Sequence, residues 1–200
     1  HALNIDKRGV SKMSLSTQAN FTRISGEDII GNISIKDVML EDEHGRHDVG
    51  DIEIASHMGD ELNRGRLHSA FAEGSYVGNK FLASFIRDIQ NVSTLKELPS
   101  LYKSGQANWD NNRYELSFLF HNTKDVLSFF APGAYIADST ALSMKITADG
   151  QMKANVKSGR IALKDKYLKG IKLSADNASG KLGGVMTVGE LSAGPIKTMA

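Results

Sequence analysis

The residues that most resemble a metal site lie between Glu41 and Asp51, where histidines and carboxylates are concentrated. His44 and His47 have a His-x-x-His spacing, and imidazole and carboxylate groups are common metal ligands. The segment lacks the order of an EF-hand loop, a His-Glu-x-x-His helix and a glycine at a calcium-loop bend. We therefore expect a polar hairpin loop over 41–48 without a metal, and we keep a metal site as the alternative.

A second pair of histidines depends on how two strands pair. If Met58 lies opposite Leu67, then His57 lies opposite His68 on the neighbouring strand. Two imidazoles at this separation can share a zinc ion, but they are more typical of an ordinary polar cross-strand pair. We predict no cofactor here either.

The motifs of the common enzyme classes are absent from the sequence. It contains no Gly-x-Ser-x-Gly nucleophile motif, no phosphate-binding loop and no dinucleotide-binding fingerprint. The absence of cysteine excludes thiol catalysis, cysteine-ligated zinc and disulfides. No spacing places two carboxylates together in a cleft. We predict that the protein is not an enzyme.

Composition and charge narrow the classes of partner. The 200 residues are 40% apolar and 24% charged, which is ordinary for one folded domain. The 24 Lys and Arg residues nearly balance 23 Asp and Glu residues, so no net positive field attracts nucleic acid. No window approaches the roughly 20 apolar residues of a membrane-spanning helix. We therefore predict neither nucleic-acid binding nor a membrane span within these residues.

Most of the chain alternates apolar and polar residues, as half-buried strands do. The alternation is clear over 12–23 and 114–120. Over 29–40 it changes phase at Asp37-Val38, which predicts a bulge or a strand bend near Lys36-Asp37. Helical spacing instead occurs near 80–90, 94–102 and 124–131. We predict a mostly β, antiparallel meander of about nine strands with three short helices. Its form is either a sandwich or, as the family resemblance given below implies, a U-shaped groove.

The predicted organisation is a single β-rich segment of a longer protein. The chain begins His1-Ala2-Leu3, without an initiator methionine, so we expect an excised piece. The successive parts are strands over 1–79, a helical insertion over 80–104, strands over 105–122, a short helix and loop over 123–139, a strand meander over 140–188 and a frayed end over 189–200.

The stretch 141–163 is expected to contain two hairpins that share one apolar face. A three-residue loop, Asp149-Gly150-Gln151, would pair Ile146 with Ala154. A two-residue turn at Ser158-Gly159 would then reverse the chain again. The predicted lining of the apolar face is Phe118, Phe120, Met144, Ile146, Met152, Ala154, Val156, Ile161 and Leu163.

Several short segments occur in an order that is found in a known family. They are Gly74-Ser75-Tyr76-Val77-Gly78, Leu98-Pro99-Ser100-Leu101, the strand from Glu115 to Phe120, Asn122-Thr123-Lys124-Asp125-Val126-Leu127, the stretch from Phe130 to Ala137, Asp149-Gly150 and Ser158-Gly159-Arg160-Ile161. On these segments the chain, from about Phe21 to Ile196, resembles the AsmA/TamB-like bacterial envelope proteins, especially the TamB-like translocation and assembly proteins of the Bacteroidetes type.

The resemblance implies an open β-groove, folded lengthwise like a taco, that crosses the periplasm from an inner-membrane anchor. The apolar concave face would carry phospholipid acyl chains toward the outer membrane, and an outer-membrane assembly barrel protein would be a further partner. The anchor would lie outside this segment, and no catalytic residues carry over. We also expect homo-oligomers formed through sheet edges. The alternative function is a secreted β-sandwich adhesion or carbohydrate-binding module, with Trp109 and Tyr114 as contacts.

Overall fold

The computed structural model describes residues 12–25, 28–80, 113–178 and 183–193, and these residues form one antiparallel sheet with one helix. The strands are β1 (Lys12–Ser25), β2 (Asp28–Asp42), β3 (Gly45–Met58), β4 (Asn63–Ser69), β5 (Ala72–Gly78), β6 (Tyr114–Phe120), β7 (Ala134–Ile136), β8 (Thr140–Ile146), β9 (Met152–Leu163), β10 (Lys166–Asp176), β11 (Gly183–Thr187) and β12 (Glu190–Ser192), and the helix is α1 (Lys124–Phe130).

The sheet is a meander in which sequence neighbours are also spatial neighbours. Its order is β1-β2-β3-β4-β5-β6-β8-β9-β10-β11, while β7 pairs with β9 and β12 pairs with β10. The sheet does not close on itself. The prediction of a mostly antiparallel β fold is confirmed. The described residues contain no second sheet, so the sandwich form of that prediction is not found in them.

The predicted change of phase in the second strand is a bulge. The pairing of β2 with β3 shifts between Ile35 and Val38, and Asp37 has a positive φ of 54°. Asp51 on β3 holds the bulge, because its carboxylate accepts a hydrogen bond of 3.0 Å from the Asp37 N–H and one of 2.9 Å from the Lys36 ammonium. The bulge re-aims the residues that follow it toward the helix.

Helix α1 covers one end of the apolar face. Phe129 is 6% exposed and packs with Val38, Leu40 and Val49 of β2 and β3. The helix confirms the prediction made for 124–131, because it starts after Thr123 and ends before the Pro132-Gly133 turn. The other two predicted helices, near 80–90 and 94–102, lie outside the described residues.

A second apolar cluster lies at the other end of the same face. It consists of Tyr76, Tyr114, Ile146 and Met152, and the last three come from three adjacent strands. Tyr114 is only 2% exposed. The prediction that Tyr114 is a surface contact of a binding module is therefore wrong for this fold, and Trp109 lies outside the described residues.

The structure corrects both predicted hairpins of the central stretch. Ile146 pairs with Met152, so the first loop spans 147–151 and is two residues longer than predicted. The predicted turn at Ser158-Gly159 does not exist, because β9 runs through it without interruption. The Ser158 hydroxyl is buried and lies 2.6 Å from the Thr140 hydroxyl, which keeps the chain extended there. The reversal comes instead at Lys164-Asp165.

Two further predicted features differ in the structure. The polar segment 41–48 is mostly strand, with a turn of only two residues at Glu43-His44. Polar side chains on a strand face water as easily as those of a loop, so polarity alone predicted too long a loop. The third and fourth strands pair Ile54 with Leu67, which places His57 opposite Arg64.

Candidate functional site

The main feature of the sheet is an unbroken line of apolar residues that crosses it from edge to edge. Each member is the direct cross-strand partner of the next, so alternation places all of them on one face. We call this line the apolar row, and its members are Ala19, Ile33, Ile54, Leu67, Gly74, Phe118, Leu142, Val156, Leu173 and Met186.

The apolar row is not a closed core. None of its side chains is buried, and only Gly74, which has no side chain, is inaccessible. Ile54 is 41% exposed and Met186 is 57% exposed. Helix α1 and the Tyr114 cluster cover the two ends of this face, and the row lies between them. Apolar surface that remains accessible over many strands is typical of a site that binds something apolar.

Seven of the nine predicted lining residues lie on this face. Phe118 and Val156 belong to the apolar row, whereas Ile146 and Met152 are buried in the Tyr114 cluster. The other three predicted residues on this face are Phe120, Met144 and Ala154.

Ile161 and Leu163 do not share that face. Because β9 continues through Ser158 without a turn, residues 161 and 163 alternate onto the side opposite Val156. The predicted hairpin would have folded them back onto the apolar face. Leu163 is 57% exposed at the end of the strand.

Glycines open a small apolar pocket beside the row. Its volume is about 250 Å³, and its walls come from β3, β4, β5 and β6. Gly74 pairs with Phe118, whose ring lies close against the glycine, and Gly65 pairs with Tyr76 and leaves room for a methyl group beside it. The pocket also contains one amide side chain, that of Asn63. Its place at the start of β4 gave no sign in the sequence that it would line a pocket.

The larger depression lies on the opposite, polar face. Its volume is about 1300 Å³, and strands from β3 to β11 line it. Of the nine predicted lining residues, only Phe118 and Val156 border this depression. Its floor is a line of small polar side chains that we call the polar ladder: Ser75, Ser117, Ser143, Asn155 and Ser174.

Side-chain hydrogen bonds connect the polar ladder in two parts, one between β5 and β6 and one from β8 through β9 to β10. The hydroxyls of Ser75 and Ser117 lie 2.7 Å apart, and the Asn155 amide contacts Ser143 at 3.4 Å and Ser174 at 3.0 Å. The sequence contained a sign of this arrangement, because each of these residues occupies a polar position in an alternating segment. Only the strand order shows that they are neighbours.

Lysines face each other along one side of the depression. Lys157 pairs directly with Lys172, and both side chains are exposed. On the same face, Lys145 pairs directly with Lys153. Like charges at directly opposed positions repel each other, so these pairs do not stabilise the sheet. Lys157 and Lys172 make their end of the depression positively charged, whereas Glu53 and Glu73 line the other end.

The predicted metal-like segment contains a buried contact between Asp42 and His47, and its groups are not arranged to hold a metal ion. The Asp42 carboxylate lies 3.2 Å from the His47 ring and accepts a 2.8 Å hydrogen bond from the His44 N–H. Burial disfavours the charged carboxylate, but these hydrogen bonds outweigh burial and lower the pKa of Asp42. The His47 ring packs edge-on against Phe129, with ring centroids 5.9 Å apart. Through the contact of His47 with Phe129, the Asp42–His47 pair links the β2–β3 hairpin to helix α1.

The other histidine pair is not formed. His68 lies opposite Glu53 and has its Nδ1 3.9 Å from a Glu73 carboxylate oxygen, far along the strands from His57. Within the ranges that the structure describes, no group of three or more histidines and carboxylates is arranged to hold a metal ion.

Comparisons with known proteins do not identify a family. No protein-family model, curated protein or solved structure matches the chain. In the described ranges, none of the helical structure has both the length and the apolar character needed to cross a membrane.

Proposed function

We propose that the apolar face binds lipid acyl chains and that the protein is a segment of an envelope protein that carries lipid through the periplasm toward the outer membrane. The observation that carries the proposal is the apolar row, which crosses ten strands while its side chains stay accessible. Each lipid methylene withdrawn from water onto such a surface contributes about 0.8 kcal/mol. A long chain therefore binds without a specific polar contact.

The extended form of the sheet supports the same proposal. Among the described strands, none pairs with the outer side of β1 or β11, and the apolar row reaches both of these edges, at Ala19 on β1 and Met186 on β11. A segment of this kind can be continued by further strands, so the apolar surface can extend beyond it. The groove shape, the periplasmic location and a role in outer-membrane barrel assembly come from the resemblance and are part of the proposal.

The test is recovery of lipid from protein purified without detergent. Mass spectrometry of an organic extract is expected to detect phospholipid with the native protein and to lose most of it with Ile54→Glu. Ile54 is 41% exposed, so a charge there reaches water and the fold survives. Ala55→Glu is the matched control, because it places the same charge one residue away on the polar face. Absence of lipid from the folded native protein, or equal loss in both variants, would refute the proposal.

The polar depression favours a second candidate, a module that binds a hydroxyl-rich or anionic ligand such as a polysaccharide. The polar ladder offers hydroxyl and amide groups over five strands, and Lys157 and Lys172 supply positive charge beside it. This candidate uses the opposite face from the lipid proposal. Binding of an acidic polysaccharide that Lys157→Glu with Lys172→Glu abolishes, while Ile54→Glu leaves it unchanged, would support the second candidate.

A further inference from the structure

The apolar pocket contains a buried hydrogen-bond acceptor that has no partner. Asn63 is only 8% exposed, and its Oδ1 is the one buried side-chain atom without a hydrogen-bond partner in the described residues. The residue begins β4, where it pairs with Met58 on one side and Gly78 on the other. A buried acceptor without a donor costs free energy, which a donor placed beside it restores.

The described residues around the pocket do not supply that donor. The Tyr76 hydroxyl donates to the Lys80 carbonyl oxygen. Alternation along β4 turns the side chains of Arg64 and Arg66 toward the polar face, away from Asn63. The hydroxyl of Ser56 lines the pocket on the same face but makes no hydrogen bond to Asn63 Oδ1. The rest of the lining that shares this face is apolar or glycine: Ile54, Gly65, Leu67, Gly74, Leu116 and Phe118.

We propose that this pocket holds the end of a lipid acyl chain that is nearest the head group. That end carries a hydrogen-bond donor, and Asn63 Oδ1 accepts the hydrogen bond. This inference rests on the proposed function, since it specifies which acyl chains the apolar face prefers. The donor is a hydroxyl on the chain or an amide N–H at its start. A plain ester-linked chain has only acceptors there, so it leaves the Asn63 oxygen unpaired. The methylenes beyond the donor continue along the apolar row.

The experiment compares three probes that share a 14-carbon chain: methyl tetradecanoate, methyl 3-hydroxytetradecanoate and N-methyltetradecanamide. Displacement of a fluorescent fatty acid measures their affinities. We expect the native protein to bind at least one donor-bearing probe about tenfold more tightly than the plain ester, which corresponds to about 1.4 kcal/mol. The hydroxyl and amide probes distinguish the two sources of the donor.

Variants of Asn63 separate this role from a structural one. Asn63→Leu is expected to remove the preference while the plain ester still binds, and Asn63→Asp, which keeps an acceptor oxygen, is expected to retain it. Asn32→Leu, at an exposed position of β2 on the polar face, is the control and should also retain the preference. Equal affinity of the native protein for all three probes would overturn the inference but leave lipid binding intact. Failure of every probe to bind would overturn the proposed function as well.

Discussion

At the scale of single residues, the Asp42–His47 pair shows how a surface-like sequence becomes a buried interaction. Both residues lie in a run of polar residues, yet the Asp42 side chain is 1% exposed and the His47 side chain is 9% exposed. Helix α1 contributes to this burial, because its Phe129 ring packs edge-on against the His47 ring. The carboxylate then depends on its hydrogen bonds, which makes the stability of the hairpin sensitive to pH.

We expect Asp42→Asn to reduce the loss of stability in acid. The pKa of Asp42 is lower in the folded protein than its ordinary value of 3.8, so the ionised carboxylate stabilises the fold above that value. This contribution is lost as the pH falls through the lowered pKa. Urea denaturation between pH 7 and pH 3 measures the effect. Asp165→Asn, an exposed turn residue, is the control, and parallel curves for the native protein and Asp42→Asn would contradict the assignment.

Two glycines of the pocket are expected to respond oppositely to alanine. A Cβ on Gly74 would lie 2.5 Å from the Phe118 ring, whereas one on Gly65 would lie 3.5 Å from the nearest atom of Tyr76. Gly74→Ala should therefore destabilise the fold by about 1–3 kcal/mol, because the ring must move. Gly65→Ala should stabilise the strand by about 0.5–1 kcal/mol. Denaturation midpoints measure both changes, and similar effects of the two substitutions would contradict the packing described.

At the scale of elements, α1 is too short to be stable alone, and its place depends on packing. The helix has seven residues, fewer than an isolated helix needs in water. Its buried side chain, Phe129, packs against the residues that the Asp37 bulge re-aims. The helix and the bulge are therefore parts of one arrangement.

We expect Phe129→Ala to cost about 3–5 kcal/mol, the usual effect of removing a buried phenylalanine. Phe130→Ala is the matched control one residue away. Phe130 is 61% exposed and touches Phe129 edge-on, so its loss should cost less than about 1.5 kcal/mol. The free energy of unfolding in urea measures both, and a similar cost for the two variants would show that α1 does not pack as described.

At the scale of the whole molecule, one edge of the sheet is a long strand whose outer side pairs with no other strand in the described part of the chain. Strand β1 is 14 residues long, lies at one end of the strand order and has exposed side chains from Lys12 to Arg23. Met13, Leu15 and Phe21 add apolar surface to this edge. An open edge of this length pairs readily with another strand, from a second copy or from a continuation of the chain.

We expect the protein to associate with increasing concentration and Leu15→Pro to weaken that association. Leu15 falls at an irregularity of the β1–β2 pairing, so a proline there disturbs the internal ladder little while it interrupts the edge. Leu15→Ala is the control for the loss of apolar surface. Sedimentation velocity over a range of concentrations measures the effect. Equal association of the native protein and Leu15→Pro would show that contacts do not use this edge.

The alternation of residue types determined much about this protein by itself. It established the antiparallel β class, the change of phase at Asp37 and the two chemically distinct faces. Even where the predicted pairing was displaced, as for Met58 and Ile146, the error was an even number of residues. An even displacement keeps every side chain on its face, because the side-chain period of a strand is two.

Only the tertiary structure decided where the chain turns and what each face contacts. Ser158-Gly159 has the composition of a turn, but burial of Ser158 against Thr140 and pairing with β10 hold it extended. Ile161 and Leu163 therefore face away from Val156. The unpaired oxygen of Asn63 and the neighbours of the polar ladder likewise follow from strand order. Local sequence cannot encode them directly, since the contacts join residues that are distant along the chain and form only when the whole sheet assembles.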